Sequence, residues 1–290
     1  MPLLKILCNA EGKRGKKQNK KLTLLLATLY KNRVVKRAMP SSKNISPLPI
    51  YLYKGKGNKG MGFINSLETD ISANIEAVRE RIAHACRRVG RSPEDVTLIA
   101  ITKGIAPPAI TAAFRSGITH FGENRVQEAM GKIKQISGLK LHPTWHMVGH
   151  LQTNKAKLAV EIFDMIQSLD SVRLAEVLSQ RCSEVLPVLL EVNVSGEASK
   201  GGFSLIDVTP ALELISRLLR LEVKGLMTVA PLLADPERVR PVFRKLRSLR
   251  DSLGLEHLSM GMTDDFEVAI EEGATMVRIG RAIFGERKPR

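Results

Sequence analysis

From Ser66 onward, apolar residues recur every three or four positions, at Leu67, Ile71, Ile75, Val78, Ile82 and Cys86. That spacing predicts an amphipathic helix over 66–89, ended by Gly90 at the position where a left-handed residue is commonly needed. The pattern then changes. Short strand-like runs at 97–103, 119–124, 144–150, 165–170, 187–194, 223–230, 257–262 and 276–285 alternate with helix-length segments at 107–116, 123–136, 171–182, 205–220, 235–253 and 264–272. Such alternation predicts a parallel sheet. Eight runs behind one leading helix predict a single (β/α)8 barrel of the TIM type, and residues 63–290 number 228, near the usual ~250. A doubly wound sheet is the alternative. It would have fewer strands and a glycine-rich first turn, where this chain carries Lys103 and two prolines.

Residues 1–62 do not share the pattern and are read as a basic, disordered N-terminal extension ahead of the barrel domain at 63–290. Residues 1–60 hold fifteen Lys and Arg against one acid, Glu11, so +14 of the net +16 belongs to this stretch. The remainder is near neutral, and the barrel is expected to bind no nucleic acid. The order of a basic cluster and an apolar run at 22–30 resembles a signal peptide, but more basic residues follow without a small-residue cleavage site. A transit peptide would carry more serine. Met61 is an alternative start for the protein. GKGNKG at 55–60 matches GxGxxG only by letter, with no βαβ unit around it. No apolar run approaches the roughly 18 residues needed to cross a bilayer. Three widely spaced cysteines, Cys8, Cys86 and Cys182, without CxxC, fit a reducing cytoplasm.

In a barrel the chemistry sits where strands end. The residues expected there are Lys103, Asn124, His150, Ser168, Asn193, Thr228, Ser259 and Arg278, all polar or charged. Lys103 closes an apolar strand, VTLIAITKG. Either it reaches solvent there, or burial lowers its pKa so that a free amine can attack a carbonyl and form a Schiff base. Strand seven ends in Ser259-Met260-Gly261-Met262 and strand eight in Arg278-Ile279-Gly280-Arg281. Loops after strands seven and eight, with a short extra helix at 281–284, often build a phosphate site. Ordinary tight turns would also explain Gly261 and Gly280. A reactive lysine opposite a phosphate cradle points to pyridoxal 5′-phosphate, with its aldehyde on Lys103 and its phosphate near Ser259 and Gly280. Arg278 would face the pyridine nitrogen, which an arginine leaves unprotonated.

Other features read as structural. His146 and His150 are four apart but on a strand, and no HExxH occurs, so no metal is expected. Asp264 and Glu267 form a D-x-x-E capping pair. Trp145 is a core residue. SGEASKGGF at 195–203 is either a mobile loop over the mouth or a plain solvated connection.

LIAITKG, HFGENRVQEAMGKI, WHMVGHLQTNKAK, LLEVNVSGEASKGGF, GLMTVAP and LSMGMTDDFEVAIEEGATMVRIGRAIFG together resemble the pyridoxal phosphate homeostasis protein family, from about residue 68 to 287. The resemblance implies a barrel like the N-terminal domain of alanine racemase and an internal aldimine on Lys103. It implies phosphate contacts around Ser259, Gly280 and Arg281, with Arg278 at the ring nitrogen and Asn124 and His150 at further cofactor-side positions. Arg281 departs from the pattern, since many members carry Thr or Ser there. The backbone N–H or the guanidinium must then serve the phosphate.

Racemisation needs a base on each face of the reacting carbon. In alanine racemases a second, β-rich domain helps supply a tyrosine; here the chain stops at Arg290, and Tyr30, Tyr51 and Tyr53 all lie in the extension. The expectation is a cytoplasmic carrier that sequesters pyridoxal phosphate, as a monomer or weak dimer, for apoenzymes that need it. The alternative is a racemase-like enzyme.

Overall fold

The computed structural model describes residues 59–137, 141–197 and 200–286. The readings of the extension before Lys59 lie outside the described residues. A leading helix α1 (Lys59–Arg88) precedes eight strands: β1 (Thr97–Ile101), β2 (His120–Glu123), β3 (Thr144–Met147), β4 (Met165–Leu169), β5 (Leu186–Glu191), β6 (Leu221–Met227), β7 (His257–Ser259) and β8 (Met276–Ile279). All neighbouring pairs are parallel, and the sheet closes in sequence order into a barrel with β8 beside β1. Between and after the strands lie α2 (Pro107–Arg115), α3 (Val126–Ser137), α4 (Ala156–Ile162), α5 (Val172–Arg181), α6 (Val208–Ile215), α7 (Arg240–Ser252), α8 (Phe266–Glu271) and α9 (Arg281–Phe284).

Strand side chains alternate between two cores. Ile99, Leu189, Met227 and Met276 meet inside the barrel, with Ile101 and Met165 packed against them. Ala100, Phe121, Trp145, Ile166, Val188, Leu190, Leu226, Leu258 and Val277 belong to the larger core under the helices. Nearly continuous apolar strands are what a sheet covered on both sides requires.

α1 packs on α2, α8 and α9. Its Ile71, Ile75, Val78 and Ile82 are buried, as the spacing predicts. Polar ties fix its position. Asn74 Nδ2 donates to the Ile283 carbonyl at 3.0 Å, and Arg91, just past the helix, donates to the carbonyls of Ile270 and Ala274 at 2.8 and 2.9 Å. Gly90 ends the helix with φ of +67°. No helix among the described residues is long and apolar enough to cross a membrane.

The expected D-x-x-E cap is not formed. α8 starts one residue later, its N-cap is Asp265, and that carboxylate accepts from Met262 N–H at 2.6 Å. Asp264 and Glu267 instead hold Arg281 and Arg81.

Candidate functional site

The barrel's inward positions carry the polar residues of the mouth. Ile99 and Ile101 belong to the inner cluster, and Lys103 follows two residues beyond the end of β1. Lys103 is half-buried in a two-residue turn with Gly104, whose φ is +74°. That backbone conformation strongly favours glycine.

The turn is clamped from the helix side. Glu123, outward on β2 and fully buried, accepts from Thr102 Oγ1 at 2.5 Å and from Lys132 Nζ at 2.6 Å on one oxygen. Lys132, buried on α3, also donates to the Thr102 carbonyl at 2.5 Å and to Glu128 Oε1 at 2.7 Å. The same Glu128 oxygen accepts from Gly104 N–H at 2.5 Å. Residues on both sides of Lys103 are therefore bonded to one buried charge cluster. Burial pushes the Glu123 carboxyl above its usual range, against the lowering effect of Lys132 and Thr102. Its second oxygen, Oε2, has no hydrogen-bond partner.

Arg278 lies on β8, next to β1, and is only 5% exposed. It donates through Nη1 to Ser259 Oγ at 2.6 Å and through Nη2 to the Thr228 carbonyl at 2.7 Å. Burial lowers its pKa to about 10, while Asp265 and Glu191 act to raise it, so it remains a cation at neutral pH. Burial also raises the pKa of Glu191 and Asp265, and Arg278 lowers both.

The other expected residues separate into groups. Gly280, the residue after β8, starts α9, whose first N–H groups have no intrahelical partner. Gly261 has φ of +91°, and a Cβ there would lie 2.6 Å from Ala269 Cβ, so the β7 loop can pass this close to α8 only with glycine. Asn124 follows β2 and packs against Gly149, where a Cβ would meet its Cα at 2.8 Å. Ser168 and Thr228 are buried and bond the carbonyls of Gly149 and Val192, so their hydroxyls tie loops together. Asn193 braces the following loop, through Nδ2 to the Glu197 carbonyl at 2.8 Å. His150 is 70% exposed at its side chain, with Nδ1 2.8 Å from Asp170 Oδ2. The Arg281 guanidinium is directed to Asp264 rather than into the mouth. No metal-binding cluster of His, Cys, Asp and Glu occurs among the described residues.

The family model for the alanine racemase N-terminal domain matches residues 73–288. A relative from Aquifex aeolicus, named pyridoxal phosphate homeostasis protein, is 46% identical over 223 residues, which is 74% of this chain and 97% of the relative. The chain belongs to the pyridoxal phosphate homeostasis protein family. Among solved structures, PipY of Synechococcus elongatus with PLP bound is 34% identical, with a TM-score of 0.65 over 74% of this chain and all of that one. Alanine racemase from Corynebacterium glutamicum, at 17% identity and a TM-score of 0.55, shares the fold over 72% of this chain and 62% of its own.

Within this homeostasis-family chain, sequence reasoning missed Glu123, Glu128 and Lys132 on the helix side, and Gln167 and His120 inside the barrel. The i, i+4 spacing of Glu128 and Lys132 is a signal for the first group, but it reads equally as a solvated helix pair. A polar residue at the centre of an apolar strand, as in MIQSL, is the signal for Gln167.

Proposed function

We propose that this chain binds pyridoxal 5′-phosphate at the mouth of its barrel, holds it covalently through Lys103, and stores or hands it over without turnover. The observation that carries the reading is that the half-buried Lys103 turn directly follows β1, the strand paired with β8 and its buried Arg278. Relatives named for pyridoxal phosphate homeostasis, and PipY with PLP bound, support it.

The residues present fit the group. An aldehyde, a phosphate dianion and a pyridine nitrogen call for an amine, a set of N–H donors and a partner at the nitrogen. Lys103 offers the amine. The backbone at Gly280, Arg281 and the start of α9 offers N–H donors. Arg278 offers the third group. When bound, the cofactor supplies an aldehyde that condenses with primary amines and a conjugated ring that can take up electrons.

The chain's own groups favour storage over turnover. Arg278 cannot accept the ring proton, which keeps the nitrogen unprotonated and the ring a weak electron sink. The described residues contain no tyrosine to serve as a base on the face opposite Lys103. Ser259 Oγ is engaged by Arg278 and Gln167, so its hydroxyl is committed and the phosphate donors come from the backbone at Gly280 and Arg281. With its guanidinium on Asp264, Arg281 serves through its backbone N–H. Asn124 and His150 flank the mouth, and cofactor-requiring apoenzymes are the recipients of the stored group.

The test is borohydride reduction of the loaded protein followed by peptide mass mapping. The pyridoxyl mass is expected on Lys103. Labelling mainly at another lysine, or a colourless protein after incubation with the cofactor, overturns the reading.

A further inference from the structure

A polar chain runs down the inside of the barrel. Beyond the Arg278–Ser259 bond, Ser259 Oγ lies 2.7 Å from Gln167 Oε1, Gln167 Nε2 lies 3.1 Å from His146 Nδ1, and His146 Nε2 lies 3.0 Å from His120 Nδ1. Ser259 and Gln167 are fully buried and His146 is 2% exposed. Arg278 and Ser259 stand toward the mouth, whereas His120 opens β2 and lines a cleft at the opposite end with Thr97, Leu98 and Thr119.

The direction of every bond follows from the arginine. Arg278 can only donate, so Ser259 Oγ accepts, and the one hydroxyl hydrogen goes to Gln167 Oε1. The amide nitrogen then faces His146, and the two thioethers near it, Met276 Sδ at 3.5 Å and Met165 Sδ at 3.9 Å, are weak acceptors that suit N–H rather than a carbonyl. His146 Nδ1 must therefore accept, which leaves its proton on Nε2, pointed at His120 Nδ1. Burial and the neighbouring His120 hold the His146 pKa at about 3, in keeping with a neutral ring.

We infer that Gln167 and His146 are positioning residues for Arg278. The guanidinium charge orders the chain in one direction, and the ordered chain fixes the Ser259 hydroxyl on which the guanidinium rests. A reversed chain would leave the buried Ser259 hydrogen without its acceptor, which costs more than a made bond contributes. The inference rests on the pyridoxal phosphate reading in one respect: a displaced Arg278 alters how the ring is held.

Two measurements on the full-length chain test it. Long-range ¹H–¹⁵N correlation on the cofactor-free protein near neutral pH, with histidines assigned through bonds, should show His146 and His120 both as Nε2–H tautomers. His146 found as Nδ1–H or as a cation overturns the chain whatever the cofactor does. Gln167→Met should keep a cooperative melt, weaken pyridoxal 5′-phosphate binding by about tenfold and move the absorbance band of the bound form. Wild-type affinity with an unmoved band overturns the positioning role. Failure of the unsubstituted protein to bind the cofactor would instead count against the function proposed above, and the tautomer result would still stand.

Discussion

Lys132 Nζ stands 2.5 Å from the carbonyl oxygen of Thr102, the residue immediately before Lys103. A buried ammonium thus reaches from the helix layer to the backbone that carries Lys103. It also neutralises Glu123, whose carboxylate is fully buried. Removing one member of a buried ion pair leaves an uncompensated charge, which typically costs about 3–5 kcal/mol. Lys132→Met should therefore lower unfolding free energy by that amount in urea titration, and adding Glu123→Gln should recover most of the loss. A single variant within about 1 kcal/mol of wild type would mean that the cluster is screened by water and does not clamp the turn.

The buried His146 makes stability depend on pH with a definite sign. Its folded pKa is about 3, against 6.5 for an exposed histidine. Between those values the unfolded chain takes up a proton that the folded chain refuses, so stability falls as pH drops through that window, by up to about 1.4 kcal/mol per unit. Glu123, Glu191 and Asp265 act in the opposite sense, because burial raises their pKa values and disfavours the ionised folded state as pH rises. The comparison is therefore wild type against His146→Gln at pH 4, 5 and 6.5. The difference between them should shrink as the solution becomes more acid; a constant difference would show that His146 titrates normally.

Pyridoxal lacking the phosphate should bind at least ~100-fold more weakly than the phosphate ester. Charge-assisted hydrogen bonds contribute about 1.5–3 kcal/mol each, and the N–H donors around Gly280 and Arg281 would lose at least two. Equilibrium dialysis or spectral titration of both compounds decides the point, and equal affinities would place the phosphate elsewhere.

Amino acids should exchange with the bound cofactor without being racemised. Incubation with L-alanine in deuterated water, followed by chiral chromatography and NMR of the α-proton, is expected to show turnover far below the usual enzyme range of about 1–10³ s⁻¹. A rate inside that range would demand a second base, and His150, beside Asp170 at 2.8 Å, is the first residue to replace.

Much of the architecture was legible because apolar strands and amphipathic helices obey different periods. All eight strands and the short helix after β8 stand where the pattern puts them. Every strand nevertheless ends earlier than its apolar run. β7 stops at Ser259 and β8 at Ile279, while the runs continue to 262 and 285. Past the ends of β7 and β8, Met260 and Ile283 are still buried, so there hydrophobicity persists after ladder pairing has ceased. At the candidate site, strand-end position singled out Lys103 and Arg278 for consideration, since a charge closing an apolar run stands out. It could not show that His150 turns outward, that Arg281 answers Asp264, or that Gln167 joins Ser259 across 92 positions of sequence. Those outcomes depend on which distant side chains become neighbours, and local pattern carries no record of that.

β1 and β8 are paired at Thr97–Ala100 and Met276–Ile279, although the chain separates them by the whole length of the barrel. Every other neighbouring pair is joined through a single loop-and-helix connection. On the function proposed here, the cofactor is gripped from both sides of this seam, by Lys103 from the first strand and by Arg278 and the Gly280 turn from the last. A nascent chain can therefore assemble the grip only after residue 281 has left the ribosome, so that ligand capture must wait for the last strand and the turn after it. Once in place, the ligand acts as a rivet across the junction of first and last strands, and the loaded protein should open there last.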